Sequence, residues 1–324
     1  MRRGERRAAI MTCAIKWNTL SIDEWEERFS RIPRSNLLQS YSYARVQAPI
    51  ARQKPRWGVI EIDGREAGLV QIFEAGIFFN LIHAVILDRG PLWFEGFGNA
   101  MHVKRFFETF NREFPARVGR KRRVIPEVAD GPAAQKMISQ YGLTRLDRGG
   151  YETYWLDLTQ DEETLRANLK SNWRNKLNKP EKAGLDIVWN GDKSHLSNMI
   201  GLYAADKSAR GYNGPSPDFL HKYTDVLAQT GNLHAAAAVL KGTPVAFILI
   251  AAHGRSSTYV AGWTTDAGRD TSAHHFLLWE AAKRLKATGI KELDLGGING
   301  ETEGIKSFKE GMGGAHYLTV GHYI

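Results

Sequence analysis

Hydrophobic and polar positions follow a strand-like pattern in two separate stretches of the chain. Residues 57–62 (WGVIEI) are followed by Asp63-Gly64 and the apolar run REAGLVQIFEA, and an Asp-Gly pair between apolar runs favours a tight hairpin turn. Residues 233–240 (LHAAAAVL) lead through the turn 241–244 into VAFILIAA and STYVAGWTT. Both stretches therefore predict antiparallel strands joined by short turns.

In each half of the chain, the predicted strands are followed by a helix and a further strand. The first half predicts a helix over 98–114, a strand over 123–128 and a short helix over 132–141. The second half predicts a helix over 272–288 and a strand over 290–298. The repeated order predicts the same supersecondary unit twice.

An antiparallel meander, a helix and a final strand are similar to the second half of the N-acetyltransferase-like (GNAT) fold. We therefore expect an α/β (α+β) chain of two tandem GNAT-like domains, with mixed, mostly antiparallel sheets flanked by helices. The boundary is expected at Gly149-Gly150. It divides the chain into a first domain at 13–149 and a second domain at 150–324, preceded by a basic arm at 1–12. An ordered and a disordered arm are both compatible with the sequence. Two more helices are predicted over 161–183, with a break or kink at Pro180, and over 194–209.

Composition narrows the class of protein. The chain has 324 residues, of which 43% are hydrophobic and 24% charged, and this balance excludes a mostly disordered or collagen-like chain. The single cysteine, Cys13, excludes an intramolecular disulfide and a cysteine-rich zinc site, and the cytoplasm is the expected compartment. The most apolar stretch, 75–87, is too short for a membrane span. The histidines show no metal-ligand spacing, so we expect neither a metal nor a cofactor.

The formal net charge of +9 favours partners that carry phosphate, such as nucleic acid, a nucleotide sugar or coenzyme A. A soluble protein that is merely basic is the alternative. Two basic clusters are candidates for phosphate contacts or for solvated faces: residues 117–123 (RVGRKRR), and the predicted helix that carries Lys170, Arg174, Lys176, Lys179 and Lys182.

The most informative motif lies near the C-terminus, at 294–314 (DLGGINGETEGIKSFKEGMGG). A predicted strand ends in Gly296-Gly297, where the backbone can approach a ligand closely. With LLQSYSYARVQ at 37–47, LDRGPLW at 87–93 and the stretch 154–187 (beginning YWLDLTQDEETL), it forms an ordered set of motifs. In this set the chain resembles the Fem family (FemX and FemAB). These are aminoacyl-tRNA-dependent peptidyltransferases that add amino acids to peptidoglycan precursors.

The resemblance implies an acceptor bound in a cleft near the interface of the two domains. Phe308 and Lys309 match the family's Phe-Lys pair in the active site. Arg210 and Tyr212 are the nearest match to an Arg and a Tyr that hold the acceptor. The first-domain wall of the same cleft would contain Gln39 and Tyr41, and Arg174 is a further candidate to line the cleft.

Aminoacyl transfer requires an amine to attack an activated ester, and negative charge develops on the carbonyl oxygen. Lys309 is the expected cation for that charge or for the departing ribose oxygen. Backbone N–H groups near Gly262-Trp263, where a GNAT-like sheet parts, are further candidate donors, and Trp263 is a predicted substrate contact. His274 or His275 could accept a proton from the amine, with a helix-start or core role as the alternative.

The acyl donor can be judged from the phosphate-binding loop. Enzymes of the GNAT type that use coenzyme A hold its pyrophosphate on a (Gln/Arg)-x-x-Gly-x-(Gly/Ala) loop at a helix start. The corresponding residues 269–274 read RDTSAH, so Ser272 and His274 stand at the small positions, and EGFGNAMH in the first half lacks a preceding Arg or Gln. This degenerate loop favours aminoacyl-tRNA as donor and a peptide-bearing or nucleotide-linked acceptor. An acyl-CoA-dependent N-acyltransferase acting on a sugar or peptide amine, and a catalytically silent RNA- or nucleotide-binding module, are the alternatives.

Overall fold

A computed structural model describes residues 11–300 and 302–324. Most of the expected basic arm at 1–12 lies outside the described residues. The strands are β1 (Cys13–Trp17), β2 (Lys54–Ile62), β3 (Arg65–Ile77), β4 (Ile82–Gly90), β5 (Leu92–Trp93), β6 (Arg120–Pro126), β7 (Glu152–Asp157), β8 (Asp186–Trp189), β9 (Leu233–Leu240), β10 (Thr243–His253), β11 (Ser256–Thr264), β12 (Glu292–Asp294) and β13 (Ala315–Leu318). The helices are α1 (Ile22–Phe29), α2 (Tyr41–Ala51), α3 (Ala100–Glu113), α4 (Pro132–Ser139), α5 (Glu162–Asn168), α6 (Ser171–Lys176), α7 (Asn178–Ala183), α8 (Lys193–Arg210), α9 (Pro217–Gln229), α10 (Asp266–Asp270), α11 (Ala273–Ala287) and α12 (Glu303–Glu310).

The first sheet contains the strands before residue 127, in the order β1-β2-β3-β4-β6, with β5 paired to β3. The β2–β3 hairpin turns at Asp63 and Gly64, whose φ angles of 49° and 74° are both left-handed, as an Asp-Gly turn requires. Strands β4 and β6 run parallel, and the other pairs are antiparallel. Three phenylalanines of α3 lie in the core beneath this sheet: Phe106, Phe107 and Phe110.

The second sheet has the order β13-β7-β12-β11-β10-β9-β8, in which only β11 and β12 pair in parallel. Helix α11 covers one face, and α8 and α9 cover the other. Two mixed, mostly antiparallel sheets flanked by helices confirm the predicted fold class. None of the helices in the described part of the chain combines the length and apolar character needed to cross a membrane.

The two halves pack directly on one another. Helix α2 of the first half contacts α9 of the second. The Ser35 hydroxyl donates to the backbone oxygen of His253 at 2.6 Å. Beyond β13 the chain returns to the first half, where Val320 and Tyr323 are buried in its core and Tyr323 forms a β-bridge with Val124. All strands of the first sheet precede Gly149-Gly150, and all strands of the second sheet follow it. The C-terminal segment, by contrast, returns from the second half to pack in the first.

The helix predicted over 161–183 is three short helices. The chain leaves helical geometry at Leu169 and Lys170, with ψ angles of 137° and 146°, and the Lys170 N–H donates instead to the oxygen of Gly311 at 3.0 Å. Pro180 lies in the first turn of α7, where a missing N–H costs no helical hydrogen bond. The break is thus upstream of the proline, because tertiary contacts of the backbone decide it.

Candidate active site

The second sheet opens between β11 and β12. These strands pair only from Ser256 to Thr258, whereas β11 remains paired with β10 as far as Thr264. A register shift against β10 leaves Val260 as the extra residue of a β-bulge, which increases the local twist. Within the described residues, the side of β11 that faces β12 has no strand partner beyond Thr258. The sheet therefore parts where the Gly262-Trp263 motif predicts it.

A cavity of about 670 Å³ lies at this opening. The described residues that line it all belong to the second half of the chain, between Lys176 and Lys309. They include five predicted site residues: Arg210, Tyr212, Trp263, Phe308 and Lys309. The expectation of a cleft near the interface of the two domains is therefore corrected, because the opening arises within one sheet.

Lys309 lines this cavity and is buried, with only 7% of its surface exposed. Its Nζ donates to the backbone oxygens of Gly296 and Gly297 at 3.2 and 2.9 Å, and lies 5.7 Å from the centre of the Tyr259 ring. Gly296 has a φ of 76°, and a Cβ there would lie 2.7 Å from the Tyr259 oxygen. The glycine therefore lets the chain turn sharply beside β11 and aim two carbonyls at the ammonium group.

Phe308 forms part of an aromatic wall. Its ring lies edge-on to His274 and His275, with centroid distances of 5.3 and 4.8 Å. The Trp173 ring lies 6.0 Å away, and its Nε1 donates to the Phe308 oxygen at 3.0 Å. This packing holds the first residue of the Phe-Lys pair and, through the backbone, the adjacent Lys309.

The two histidines are poor bases in this environment. Burial lowers the pKa of His274 to about 4 and that of His275 to about 3. His274 Nε2 lies 3.1 Å from the Tyr259 hydroxyl. At neutral pH both rings are therefore neutral, which favours the helix-start and packing role over proton transfer.

Arg210 and Tyr212 are oriented by a single carboxylate, that of Asp206. Arg210 Nε donates to one oxygen at 2.7 Å, and the Tyr212 hydroxyl donates to the other at 3.1 Å. Burial, followed by the charge of Asp206, raises the pKa of Tyr212, so its hydroxyl stays protonated. The arrangement presents a guanidinium and a phenol at the wall of the cavity.

Trp263 is held from outside the cavity. Its Nε1 donates to the Met199 oxygen at 3.0 Å, and only 5% of the residue is exposed. Its ring is therefore a core side chain, and the residue borders the cavity as part of the open edge of β11.

Three predicted site residues do not line the cavity. Gln39 is 2% exposed; its amide donates to the oxygens of Gln71 and Asp88 at 2.9 and 2.7 Å, and its oxygen accepts from the Gln71 N–H at 2.7 Å. Tyr41 packs on Trp57 at a centroid distance of 5.5 Å. Both belong to the first half, and their placement in the cleft is corrected because their contacts are within that half.

The basic clusters differ in their relation to the cavity. Arg174 on α6 is not among the lining residues, so its placement in the cleft is also corrected, whereas Lys176, half a turn further on, is. Residues 117–123 lie on the first sheet, at β6 and the turn before it. The α6–α7 cluster is therefore the one that reaches the site.

The segment that corresponds to a pyrophosphate loop, 269–274, joins α10 to α11. It contains the last two residues of α10, whose N-cap is Thr265, and the first two residues of α11, whose N-cap is Ser272. Four N–H groups in α10 and directly after it already donate locally: Gly268 to Thr265 Oγ1 at 3.1 Å, Arg269 to the Thr265 oxygen at 2.9 Å, Thr271 to the Ala267 oxygen at 3.1 Å and Ser272 to the Arg269 oxygen at 3.1 Å. Gly268 serves close packing, since a Cβ there would lie 2.2 Å from the Val245 oxygen. The amides up to Ser272 are therefore used locally, whereas the first-turn N–H groups of α11 have neither an acceptor within the helix nor a side-chain cap from Ser272.

A buried carboxylate supports the two glycines that hold Lys309. Asp294 is fully buried and accepts from the Gly296 N–H at 2.9 Å and from Thr153 Oγ1 at 2.6 Å. The Tyr151 hydroxyl donates to the same carboxylate at 3.1 Å, and Arg89 of the first half donates to it at 3.2 Å. The first half thus contacts the active-site loop through this ion pair.

Sequence reasoning missed Tyr259, Asp206 and the role of Asp294. Asp206 had a usable signal, because it stands four residues before Arg210 at the end of the helix predicted over 194–209, and α8 extends to Arg210 and places the two side chains on one face. Tyr259 and Asp294 had none. Their positions depend on the bulge in β11 and on the packing of the two halves.

Comparisons with known proteins agree with this architecture. Residues 167–310 match the family described as acetyltransferase (GNAT) domain. The solved structure of FemX is similar, with a TM-score of 0.78 at 14% identity over 95% of this chain and 96% of that one. No match was found among curated proteins.

Two further solved structures share the fold over nearly the whole chain. A conserved protein of unknown function from Bacteroides thetaiotaomicron VPI-5482 has a TM-score of 0.60 at 14% identity, covering 96% of this chain and 98% of that one. A tandem GNAT protein from the clavulanic acid biosynthesis pathway has a TM-score of 0.50 at 12% identity, with the same coverage of 96% and 98%. These similarities confirm the tandem GNAT-like fold and the resemblance to FemX. The matched acetyltransferase domain supports the predicted enzyme class, an acyltransferase.

Proposed function

We propose that this acyltransferase moves an aminoacyl group from charged tRNA to the amine of a peptide-bearing acceptor, such as a peptidoglycan precursor, in the cytoplasm. The observation that carries the proposal is the buried ammonium group of Lys309 in the opened sheet, next to a phosphate loop in which Ser272 and His274 stand where coenzyme A-dependent enzymes have small residues. The motifs that resemble the Fem family supply the identity of donor and acceptor.

In the proposed reaction the acceptor amine attacks the carbonyl carbon of the aminoacyl ester. A C–N bond forms, the ester C–O bond breaks, and the proton lost by the amine balances the one gained by the ribose oxygen. Negative charge passes through the carbonyl oxygen to the leaving oxygen. Lys309 stabilises that charge, because the carbonyls of Gly296 and Gly297 hold its ammonium at a defined point of the cavity.

Arg210 and Tyr212 are proposed to hold the acceptor. A guanidinium binds phosphate or carboxylate oxygens, and a protonated phenol donates a further hydrogen bond. Asp206 restricts both side chains before the acceptor arrives, which lowers the entropy lost on binding. Lys176 and the basic residues of α6 and α7 are proposed to contact the phosphates of the donor RNA.

The segment from α10 to the start of α11 supports RNA as donor over coenzyme A. A pyrophosphate that bound the amides before α11 would have to replace the hydrogen bonds that Gly268, Arg269, Thr271 and Ser272 donate locally. The Asp266 carboxylate, which pairs with Arg269, adds negative charge there. Both features weaken binding of a diphosphate at this point.

The test is turnover by the purified protein with a set of charged tRNAs and peptidoglycan precursors, followed by mass spectrometry of the acceptor. Lys309→Met should lower turnover by about 100- to 1000-fold while the fold persists, since one donor of this kind contributes that much. Lys306→Met is the matched control, because Lys306 is on the same helix and pairs with Glu303 outside the cavity. Turnover with acyl-CoA and none with any charged tRNA would refute the proposal.

The alternative is an acyl-CoA-dependent N-acyltransferase acting on a sugar or peptide amine, and the match to the acetyltransferase domain favours it. Calorimetry with coenzyme A separates the two. Tight binding, weakened by substitutions in α10, supports the alternative. Absence of binding with retained transfer from tRNA supports the main proposal.

A further inference from the structure

A group of large apolar side chains is exposed at one tip of the first half. In the described residues, six of the twelve exposed large hydrophobic residues lie in the β3–β4 turn or beside it: Ile77, Phe78, Phe79, Leu81, Ile82 and Val118. Phe79 is fully exposed, and Val118 is 99% exposed. Single exposed apolar residues are ordinary, but such a concentration marks an interaction surface.

The two turns that carry these residues form one connected surface. The Arg117 guanidinium donates to the Leu81 oxygen at 3.1 Å and also to the Asn80 oxygen. The His83 N–H donates to the Gly119 oxygen at 2.8 Å. These bonds tie the 115–119 turn to the β3–β4 turn, and we call their shared end the apolar tip.

A basic strand adjoins the apolar tip. In the register of β4 and β6, His83 pairs with Arg120 and Ala84 pairs with Lys121, so the cations begin where the apolar residues end. Five cations stand within seven residues: Arg117, Arg120, Lys121, Arg122 and Arg123. Burial, and then the charge of Arg117, lowers the pKa of Arg120. Two carboxylates lie near these cations: Asp88 pairs with Arg123, and Glu74 contacts both Arg56 and His83.

We propose that the apolar tip and the basic strand dock the protein on an anionic phospholipid bilayer. Phe78, Phe79 and Leu81 enter the boundary between headgroups and acyl chains, and the basic strand contacts the lipid phosphates. Apolar insertion next to clustered Lys and Arg is the combination that gives peripheral proteins stable membrane binding. This surface lies in the first half, separate from the residues that line the active-site cavity.

The observations favour a bilayer over RNA and over a second copy of the chain. RNA binding would use the cations, and the phenylalanine rings could stack on bases, but Ile77, Leu81 and Val118 would remain in water. A twofold contact through this surface would place the exposed cations of two basic strands, Lys121 and Arg123 of each copy, against each other, which opposes association. Only a bilayer offers apolar interior and negative charge side by side.

The experiment is co-sedimentation of the full chain with vesicles of phosphatidylcholine, alone or mixed with phosphatidylglycerol. We expect binding to the mixed vesicles that weakens with salt. Phe78→Ser combined with Phe79→Ser should lower the partition coefficient roughly a hundredfold, because two aromatic side chains lose their burial. Ile22→Ser is the control, since Ile22 is an exposed apolar residue of α1.

The electrostatic contribution to membrane binding is tested by removing single positive charges. Lys121→Gln should weaken binding to the mixed vesicles about fivefold, whereas Lys241→Gln, at an exposed turn of the second half, should leave it unchanged. Circular dichroism and aminoacyl transfer to a soluble acceptor should be unaffected in all variants. Equal sedimentation with and without vesicles would overturn the proposal. So would a loss of tRNA binding, or of dimers, as the main effect of the phenylalanine substitutions.

Discussion

Replacing Asp294 by Asn tests whether the contact between the two halves holds the active-site lysine in place. The side chain is fully buried and receives four hydrogen bonds: from Gly296, Thr153, Tyr151 and Arg89. Asn has nearly the same volume, but it has no charge and only one oxygen. At least one of these donors must therefore lose its acceptor.

The size of the effect follows from the burial of the ion pair. Removing one partner of a buried pair costs about 3–5 kcal/mol, since the other charge stays desolvated. Arg89 keeps its two hydrogen bonds to Glu127, at 2.7 and 3.0 Å, which compensate part of its charge. We therefore expect Asp294→Asn to lower the free energy of unfolding by about 3 kcal/mol.

The substitution should also change catalysis. The Gly296 N–H is bound by Asp294, and the Gly296 and Gly297 oxygens hold the Lys309 ammonium. Loosening this loop displaces the cation from the developing charge. We expect kcat to fall about 10- to 100-fold, with a smaller change in KM, because Arg210 at the end of α8 and Tyr212 just after it do not contact Asp294.

The assays are urea unfolding followed by tryptophan fluorescence, and initial rates of the transfer reaction. Asp218→Asn is the matched control, because Asp218 forms an exposed i,i+4 pair with Lys222 and its loss should cost less than about 0.5 kcal/mol. If Asp294→Asn is no more destabilising than Asp218→Asn, the ion pair does not support the fold. If it destabilises the protein but leaves kcat intact, the loop does not depend on it.

Two further predictions concern acid stability and the open edge of β11. Burial lowers the pKa of His253 from 6.5 to about 3, so the stability that its neutral form provides is complete above pH 6.5 and is lost as the pH falls towards 3. His253→Gln should reduce this loss by up to about 1.4 kcal/mol per pH unit, measured by urea unfolding from pH 7 to pH 5; an unchanged pH dependence contradicts it. Gly262→Ala should destabilise the protein by about 1–3 kcal/mol, because a Cβ there would lie 2.6 Å from the Phe247 oxygen and 2.3 Å from the Tyr259 hydroxyl. Gly201→Ala on α8, which meets no atom within 4 Å, should be neutral or stabilising by up to about 1 kcal/mol in the same thermal-melting series, and a reversed order would refute the packing argument.

Local signals predicted many elements correctly and missed others that had comparable signals. The Asp63-Gly64 and Lys241-Gly242 turns both have the left-handed backbone that such pairs favour. Helix α9 was missed although Ser216 caps it and Pro217 opens it, a combination typical of helix starts. The strand predicted over 290–298 ends as β12 at Asp294, because Gly296 turns the chain into the active site.

The candidate site was predicted in part. The Phe308-Lys309 pair and the Arg210 and Tyr212 pair do meet in one cavity. Gln39 and Arg174 were also predicted to line the cleft. The Gln39 amide instead donates to backbone oxygens of the first half, and Arg174 is not among the residues that line the cavity. Residue type shows what a side chain can bind, and it does not show whether its polar atoms are already occupied.

The sequence alone specifies the features that neighbours along the chain produce. These are the turns, most helices and strands, the doubled order of elements and the Phe-Lys motif. The position of the cavity, in contrast, is set only by the tertiary structure. It arises where a bulge in β11 and the short β12 separate two strands distant in sequence, and where Asp294 meets Arg89 from the other half. Such contacts depend on burial and on the packing of remote segments, and these are properties of the folded chain as a whole.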